Sequence, residues 1–170
     1  NKLLEFKSTG KKIISYADYY TQSAYYLSSI ANKIYLNPEG SIELKGLSIS
    51  QMFFKEMLEK LDIEMQIIRH GKFKSAIEPF SLNKMSDENK AQMEQLLNSF
   101  VENIFDSIAN QRDMSLSEIE LHANQLQLNS GKKCLDLSYV DDLLYQDQVE
   151  YQLSLLIDTN KINFINIDKY

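Results

Sequence analysis

The sequence predicts an α/β domain in which mainly parallel strands alternate with helices. Short apolar runs typical of strands alternate with amphipathic helical stripes along the chain. Of the 170 residues, 44% are hydrophobic and 25% are charged, which is a globular composition with enough apolar material for a core. No repeat, low-complexity segment or linker interrupts the pattern. We therefore expect residues 1–170 to form a single domain.

The first elements follow from local patterns. Residues 3–7 predict the last turns of a helix that Gly10 stops, and residues 11–17 predict a strand. A short helix over residues 23–32 and a strand over residues 34–36 follow. The run Asn37-Pro38-Glu39-Gly40 then has strong turn chemistry.

The next segment is predicted to hold one helix, one strand and one loop. Ser48 and Gln51 have capping-box spacing, which predicts a helix over residues 48–61. Alternating polarity over residues 64–69 predicts a strand. Gly71 and Pro79 give residues 70–85 the character of a loop.

The clearest element is a helix that Ser86 caps. Its apolar residues recur in steps of three and four from Met93 to Ile108, so one stripe is predicted to face a core. Ser115 and Glu118 predict a further capping box and helix. Residues 131–142 predict a connection with a short strand, and residues 148–157 predict a closing helix.

Several classes of site find no support in the composition. The net charge of -6 argues against nucleic acid, and no run of about 18 apolar residues is present. Cys134 is the single cysteine, and neither it nor His70 or His122 has metal-ligand spacing to the others. With five glycines and no phosphate loop, a nucleotide site is not expected. The sequence thus predicts no metal and no cofactor.

The beginning of the chain is expected to need a partner. Leu3, Leu4 and Phe6 are apolar residues of a helix, and they need a surface against which to be buried. We expect upstream strands or a partner chain to cover this edge, and the chain to self-associate.

Two lysines, Lys72 and Lys74, lie in a mostly apolar loop after a predicted strand end, where α/β sheets collect their sites. A lysine acts as a general base only when neutral, so its pKa must fall from about 10.4 to near 7. Burial beside Phe73, Ile77 and Phe80 provides such surroundings. The alternative is that both lysines are solvated loop residues, and the sequence of the loop by itself does not decide between the two interpretations.

The loop and its flanks carry a family resemblance. Residues 71–80, Gly-Lys-Phe-Lys-Ser-Ala-Ile-Glu-Pro-Phe, resemble a Gly-x-Tyr-Lys-Ser-Ala-x-Glu-Pro-Phe segment of the long-form signal peptide peptidase A (protease IV) family. Residues 25–27, 31–40, 44–47 and 85–87 match family segments in the same order, and Val140-Asp141 falls at a Leu-Val-Asp signature. The chain resembles the middle of the N-terminal half of these proteins.

The resemblance implies a crotonase-like fold related to the Clp protease, and a Ser–Lys dyad in which a lysine amine activates a serine. By motif position the lysine is Lys74, whereas Lys72 falls at a variable position. Gln22 stands where catalytic copies have the nucleophile, and Ser23 stands where they have a glycine. The serine is therefore expected in the C-terminal half, outside this chain, and the chain alone is expected to be inactive.

The resemblance also implies signal peptides as substrates and a homo-oligomer. It places the catalytic part on the periplasmic side of a bacterial inner membrane, with the anchor outside this chain. The alternative is a non-catalytic scaffold half that assembles the oligomer and shapes the substrate groove. An acyl-CoA enzyme is disfavoured, because the glycines of an oxyanion hole are missing.

Glu78 and a group of four tyrosines are the remaining candidates for a functional role. Pro79 is expected to hold Glu78 in an extended conformation and so stiffen the loop, with no direct catalytic role for Glu78. Tyr19, Tyr20, Tyr25 and Tyr26 are read either as an aromatic binding platform or, more simply, as packing residues.

Overall fold

A computed structural model describes residues 2–66, 75–156 and 165. The elements in chain order are α1 (Lys2–Ser8), β1 (Ile14–Ala17), α2 (Gln22–Ser28), β2 (Lys33–Leu36), α3 (Lys55–Lys60), a 3₁₀ turn (Ser75–Ile77), α4 (Glu78–Ser81), α5 (Asp87–Arg112), α6 (Leu116–Asn124), α7 (Gly131–Asp136), β3 (Asp142–Leu143) and α8 (Gln146–Leu156).

The strands form one parallel three-stranded sheet in the order β1-β2-β3. Ile14 pairs with Lys33, and Tyr35 pairs with Asp142. On one face of the middle strand Ile34 and Leu36 are fully buried, and on the opposite face Tyr35 is buried too, as expected for a strand covered on both faces. The predicted α/β architecture with parallel strands is confirmed.

The chain divides into two compact units. The first comprises Asn1–Gly46 and Ile104–Tyr170, and the second comprises Leu47–Asn103. The single domain over residues 1–170 stays a prediction.

Tyrosines fill much of the core of the first unit. Tyr25 is fully buried, and its hydroxyl donates a hydrogen bond of 2.7 Å to the carbonyl oxygen of Tyr139. Tyr20 packs edge-on against Tyr25 and donates to the carbonyl oxygen of Tyr35 over 3.1 Å. Buried tyrosines need such partners for their hydroxyls. The packing interpretation is therefore confirmed for Tyr20 and Tyr25, whereas Tyr19 is 48% exposed.

Local signals predicted several elements correctly. Ser115 and Glu118 form a complete capping box at the start of α6. The turn after β2 closes where Gly40 N–H donates to the Asn37 carbonyl oxygen over 2.8 Å. Gly10, with φ of 84°, follows α1 in the left-handed conformation that glycine favours.

Three predicted elements differ in part from the structure. The helix expected over residues 48–61 begins only at Lys55, because the exposed residues before it have no buried face to support a helix. Glu64 to Gln66 form no strand, and residues 67–69 lie outside the described part. Within the connection expected over residues 131–142, α7 forms, because Ser130 caps it by accepting from Lys133 N–H.

Candidate active site

The proposed base, Lys74, lies outside the described residues, as do Lys72, Phe73 and His70. The described chain resumes at Ser75, immediately after Lys74, in the 3₁₀ turn Ser75–Ile77, and this turn runs directly into α4. The chain next to Lys74 therefore has a defined path that ends at Glu78.

Glu78 is the first residue of α4, so the expected extended conformation before Pro79 is wrong. The restriction that Pro79 places on its predecessor is a preference, and here the helix start overrides it. Pro79 itself suits the first turn of a helix, where a backbone N–H has no intrahelical acceptor to lose.

The carboxylate of Glu78 is buried and held by hydrogen bonds; Glu78 is 3% exposed. Its Oε1 accepts from the hydroxyl of Ser86 over 2.6 Å, and its Oε2 accepts from Ser86 N–H over 3.2 Å. Oε2 also accepts from Nδ2 of Asn89 over 3.0 Å. A buried carboxylate is stable only with such compensation, so these contacts explain how the charge is accommodated.

The same contacts place Glu78 at the start of α5. Ser86 caps this 26-residue helix, because its Oγ accepts from Asn89 N–H over 3.2 Å. A negative charge at a helix N-terminus is favoured by the helix dipole and by the free N–H groups there. Glu78 therefore ties the start of α4 to the start of α5.

Asn89 is the least obvious member of this cluster, because it lies within an amphipathic helix and is only 5% exposed. Its Nδ2 must face Glu78, since its oxygen would repel the carboxylate. Among the described residues, nothing donates to its Oδ1. Sequence reasoning missed Asn89, and the available signal was a polar residue three positions after a helix cap.

A second attachment holds α4 from the side of α3. Phe54 N–H donates to the carbonyl oxygen of Pro79 over 2.6 Å, and the Phe54 and Phe80 rings stack with centroids 5.8 Å apart. Because both contacts fall within α4, the helix is fixed at its backbone and at a side chain.

A groove of about 250 Å³ lies beside α4 in the second unit. Its apolar lining comprises Leu58, Ile63, Met65 and Phe80, and its polar lining comprises Lys55, Glu59, Glu64 and Ser81. The groove therefore offers both apolar and charged side chains to a bound segment.

Gln22, at the position predicted for the nucleophile, is the first residue of α2. Its Oε1 accepts from Lys45 N–H over 3.0 Å. An amide is not a nucleophile, so Gln22 cannot attack a peptide bond. Its hydrogen bond instead ties the start of α2 to the segment that follows Ile42. Ser23, the next residue, is exposed on α2.

Lys45 is a poor substitute base. Its amine bonds the carboxylate of Glu43, and this hydrogen bond raises the pKa of Lys45 above its ordinary value. Glu43 also accepts from the Tyr19 hydroxyl over 2.8 Å. Lys45 therefore remains protonated in the physiological range, where it cannot accept a proton.

The other reactive side chains of the described part have packing roles. Cys134 is fully buried, and burial raises the pKa of its thiol to about 11, so its reactive thiolate is scarce. Nδ1 of His122 lies 3.2 Å from the Tyr139 hydroxyl. Within the described residues, no group of three His, Cys, Asp or Glu side chains could hold a metal ion.

Residues 5–159 match the model of peptidase family S49. The chain belongs to this family. Protease 4 of Haemophilus influenzae is 38% identical over 97% of this chain and 28% of its own length. Protease 4 of Salmonella typhi is 30% identical over 89% of this chain and 26% of its own length. The chloroplastic serine protease SPPA of Arabidopsis thaliana is 29% identical over 86% and 22%, respectively.

The S49 match confirms the resemblance to the signal peptide peptidase A (protease IV) family. The chain spans about a quarter of the length of these curated relatives. Two of them come from bacteria. No helix among the described residues is both long and apolar enough to cross a membrane.

Asp141, within the Val140-Asp141 signature, has a structural position. Its Oδ2 accepts from Ile34 N–H over 2.7 Å and pairs with Arg112 over 3.3 Å. Arg112 also donates to the carbonyl oxygen of Ser138 over 2.8 Å. Asp141 thus joins β2 to the end of α5, which gives this residue a role in the fold.

Proposed function

We propose that this S49 chain supplies Lys74 as the general base of a Ser–Lys dyad in a peptidase that degrades cleaved signal peptides. The observation that carries the proposal is the Lys-Ser-Ala-Ile-Glu-Pro-Phe run of residues 74–80. Its second part is an ordered segment with a buried anchor, Glu78.

The chemistry requires the Lys74 amine to be neutral. The amine takes the proton of a serine hydroxyl while the serine oxygen attacks the peptide carbonyl carbon, and the amine later returns that proton to the leaving amine. For a lysine this requires desolvation, which apolar neighbours provide. In the intact protein, we expect the half that carries the serine to complete this apolar cover.

The nucleophile is proposed to lie outside residues 1–170, in a C-terminal half. Gln22 supports this, because its amide replaces the hydroxyl at the matching position and binds Lys45 N–H. The isolated chain is then inactive, although it carries the base. We also propose the crotonase-like fold of the Clp protease for the complete domain.

Apolar peptides are the proposed substrates. The groove beside α4 supports this, since Leu58, Ile63, Met65 and Phe80 line it and Phe80 belongs to the Lys74 motif. A homo-oligomer on the periplasmic face of a bacterial inner membrane, with the anchor outside this chain, completes the proposal.

Steady-state kinetics of three variants in the intact protein test the assignment of Lys74. Lys74→Ala should lower kcat/KM by at least about 100-fold, since general-base catalysis contributes about 10²–10⁴-fold. Lys74→Arg should fail equally, because a guanidinium stays protonated at any working pH. Lys72→Ala is the matched control, two positions away, and should stay within about twofold of the wild type.

The reverse pattern, an inactive Lys72→Ala and an active Lys74→Ala, would show that the loop alignment is wrong by two residues. Full activity in all three variants would favour the alternative of a non-catalytic scaffold half.

A further inference from the structure

We infer that Glu78 is a positioning residue for Lys74, which it serves through the buried cluster of Glu78, Ser86 and Asn89. This inference rests on the proposed function of Lys74 as the base. Glu78 need not touch the substrate, because the cluster fixes the chain that follows the lysine.

The path of the chain links Glu78 to the residue that follows Lys74. Lys74 precedes the 3₁₀ turn Ser75–Ile77, and this turn continues without a break into α4 at Glu78. In a 3₁₀ turn successive residues are held by short-range hydrogen bonds, so a displacement at Glu78 is passed back along the turn. The position of α4 therefore constrains the backbone next to Lys74.

The anchor of α4 is the hydrogen-bonded carboxylate of Glu78. Both carboxylate oxygens of Glu78 are engaged, by the Ser86 hydroxyl at 2.6 Å, by Ser86 N–H at 3.2 Å and by Asn89 Nδ2 at 3.0 Å. These donors belong to the cap and the first turn of a 26-residue helix. A base must be held within a fraction of an ångström of its proton donor, and rigid elements achieve this better than loops.

Two substitutions of Glu78 distinguish the geometry of its contacts from the effect of its negative charge. In Glu78→Gln, the amide can keep the contacts to Ser86 and Asn89 if the Ser86 hydroxyl turns and accepts from the new NH₂ group. In Glu78→Asp, the charge is kept, but the carboxylate is one methylene short of Ser86 and Asn89. A positioning role therefore predicts that Gln is tolerated better than Asp, whereas a direct electrostatic role on Lys74 predicts the reverse order.

The experiment measures kcat, KM and the pH profile of kcat/KM for Glu78→Asp, Glu78→Gln and Lys74→Ala in the intact protein. We expect Glu78→Asp to lower kcat at least tenfold with KM within twofold, and Glu78→Gln to stay within about threefold. The acid limb of the Glu78→Asp profile should move to higher pH, because a displaced Lys74 regains solvent and its pKa rises towards the ordinary value.

Glu94→Gln is the matched control, because it makes the same chemical change on an exposed carboxylate whose Lys90 partner is 3.8 Å away. It should match the wild type, and thermal unfolding should show that all the variants fold.

An acid limb that moves to lower pH in Glu78→Gln, with Glu78→Asp near the wild type, would overturn the positioning role in favour of a direct charge effect. Unchanged kinetics in both Glu78 variants, with Lys74→Ala inactive, would overturn this inference alone. An active Lys74→Ala would overturn the proposed function itself.

Discussion

Among the described residues, the buried side chains of Glu78 and Tyr25 have hydrogen-bond partners. Glu78 is held by Ser86 and Asn89, and Tyr25 donates to the carbonyl oxygen of Tyr139. The sequence could supply Glu78 from its motif and Ser86 as a helix cap. Asn89 is a polar residue three positions after that cap, but its bond to Glu78 could not be predicted, because a hydrogen bond between separate elements depends on how those elements pack.

Cys134 gives a pH dependence at the residue scale. Burial raises the pKa of its thiol from 9.0 to about 11, so between these values the unfolded chain loses a proton that the folded chain keeps. The folded state then binds more protons, and the free energy of unfolding falls as pH rises. Across this window the thiol should account for a loss of about 2–3 kcal/mol. Cys134→Ala should remove that part of the loss in urea titrations at pH 8–11.

The control for this titration is Ile119→Val, because Ile119 is fully buried and has no proton to lose. It should lower stability at every pH without changing the pH dependence. If the curves of Cys134→Ala and the wild type fell in parallel, the thiol would not be responsible.

At the scale of elements, identical signals had different outcomes. Ser115 and Glu118 begin α6, which buries Ile119 and Ala123. Ser48 and Gln51 have the same spacing, yet no helix begins there. A cap stabilises a helix by about 1 kcal/mol, which is too little without a buried face. The sequence shows the cap, but the buried face depends on the rest of the fold.

The role of Gly131 could not be predicted from a local pattern either. The sequence predicts that Gly131 lies in a connection, but it is the first residue of α7. A Cβ there would come within 2.6 Å of the carbonyl oxygen of Pro38, so only glycine allows α7 to approach the turn after β2. This close approach involves residues far apart in sequence, and no local rule could predict it.

The turn after β2 provides the prediction at this scale. In Gly40→Ala, the new methyl group would lie 2.7 Å from Cδ1 of Leu36 and 2.9 Å from the carbonyl oxygen of Asn37. We expect the free energy of unfolding to fall by about 1–3 kcal/mol, as for other overpacked sites. Urea unfolding followed by circular dichroism measures this.

The matched variant is Gly46→Ala, because no described atom lies within 4 Å of a Cβ at that position. It should be neutral or more stable by up to about 1 kcal/mol, through the lower entropy of the unfolded chain. Equal losses in both variants would mean that backbone freedom, and not the contacts at Gly40, limits the turn.

The apolar stripe of the long helix α5 is only partly buried. Its predicted stripe is buried at Phe105 and Ile108, but Leu96 and Phe100 are 47% and 53% exposed. Helical periodicity identifies the apolar face, and it carries no information about what covers each part of that face. The burial predicted for the whole stripe is therefore confirmed at Phe105 and Ile108, and it is wrong at Leu96 and Phe100.

For the whole molecule, the parallel sheet and the S49 family could be predicted because they depend on alternating elements and on ordered motifs. The division into Asn1–Gly46 with Ile104–Tyr170 and Leu47–Asn103 has no signal of composition in the sequence. The candidate site was predicted as a single lysine. The buried cluster of Glu78, Ser86 and Asn89, which begins four positions after that lysine, emerged only from the fold.

The central claim is that this chain contributes the base and not the nucleophile. Its most direct test is labelling of the intact protein with a serine-directed phosphonate, followed by mass spectrometry of the labelled peptide. Our account predicts a single labelled serine outside residues 1–170, loss of the label in Lys74→Ala, and no label on the isolated 170-residue chain. Labelling of Ser23, or of any serine within this chain, would contradict it.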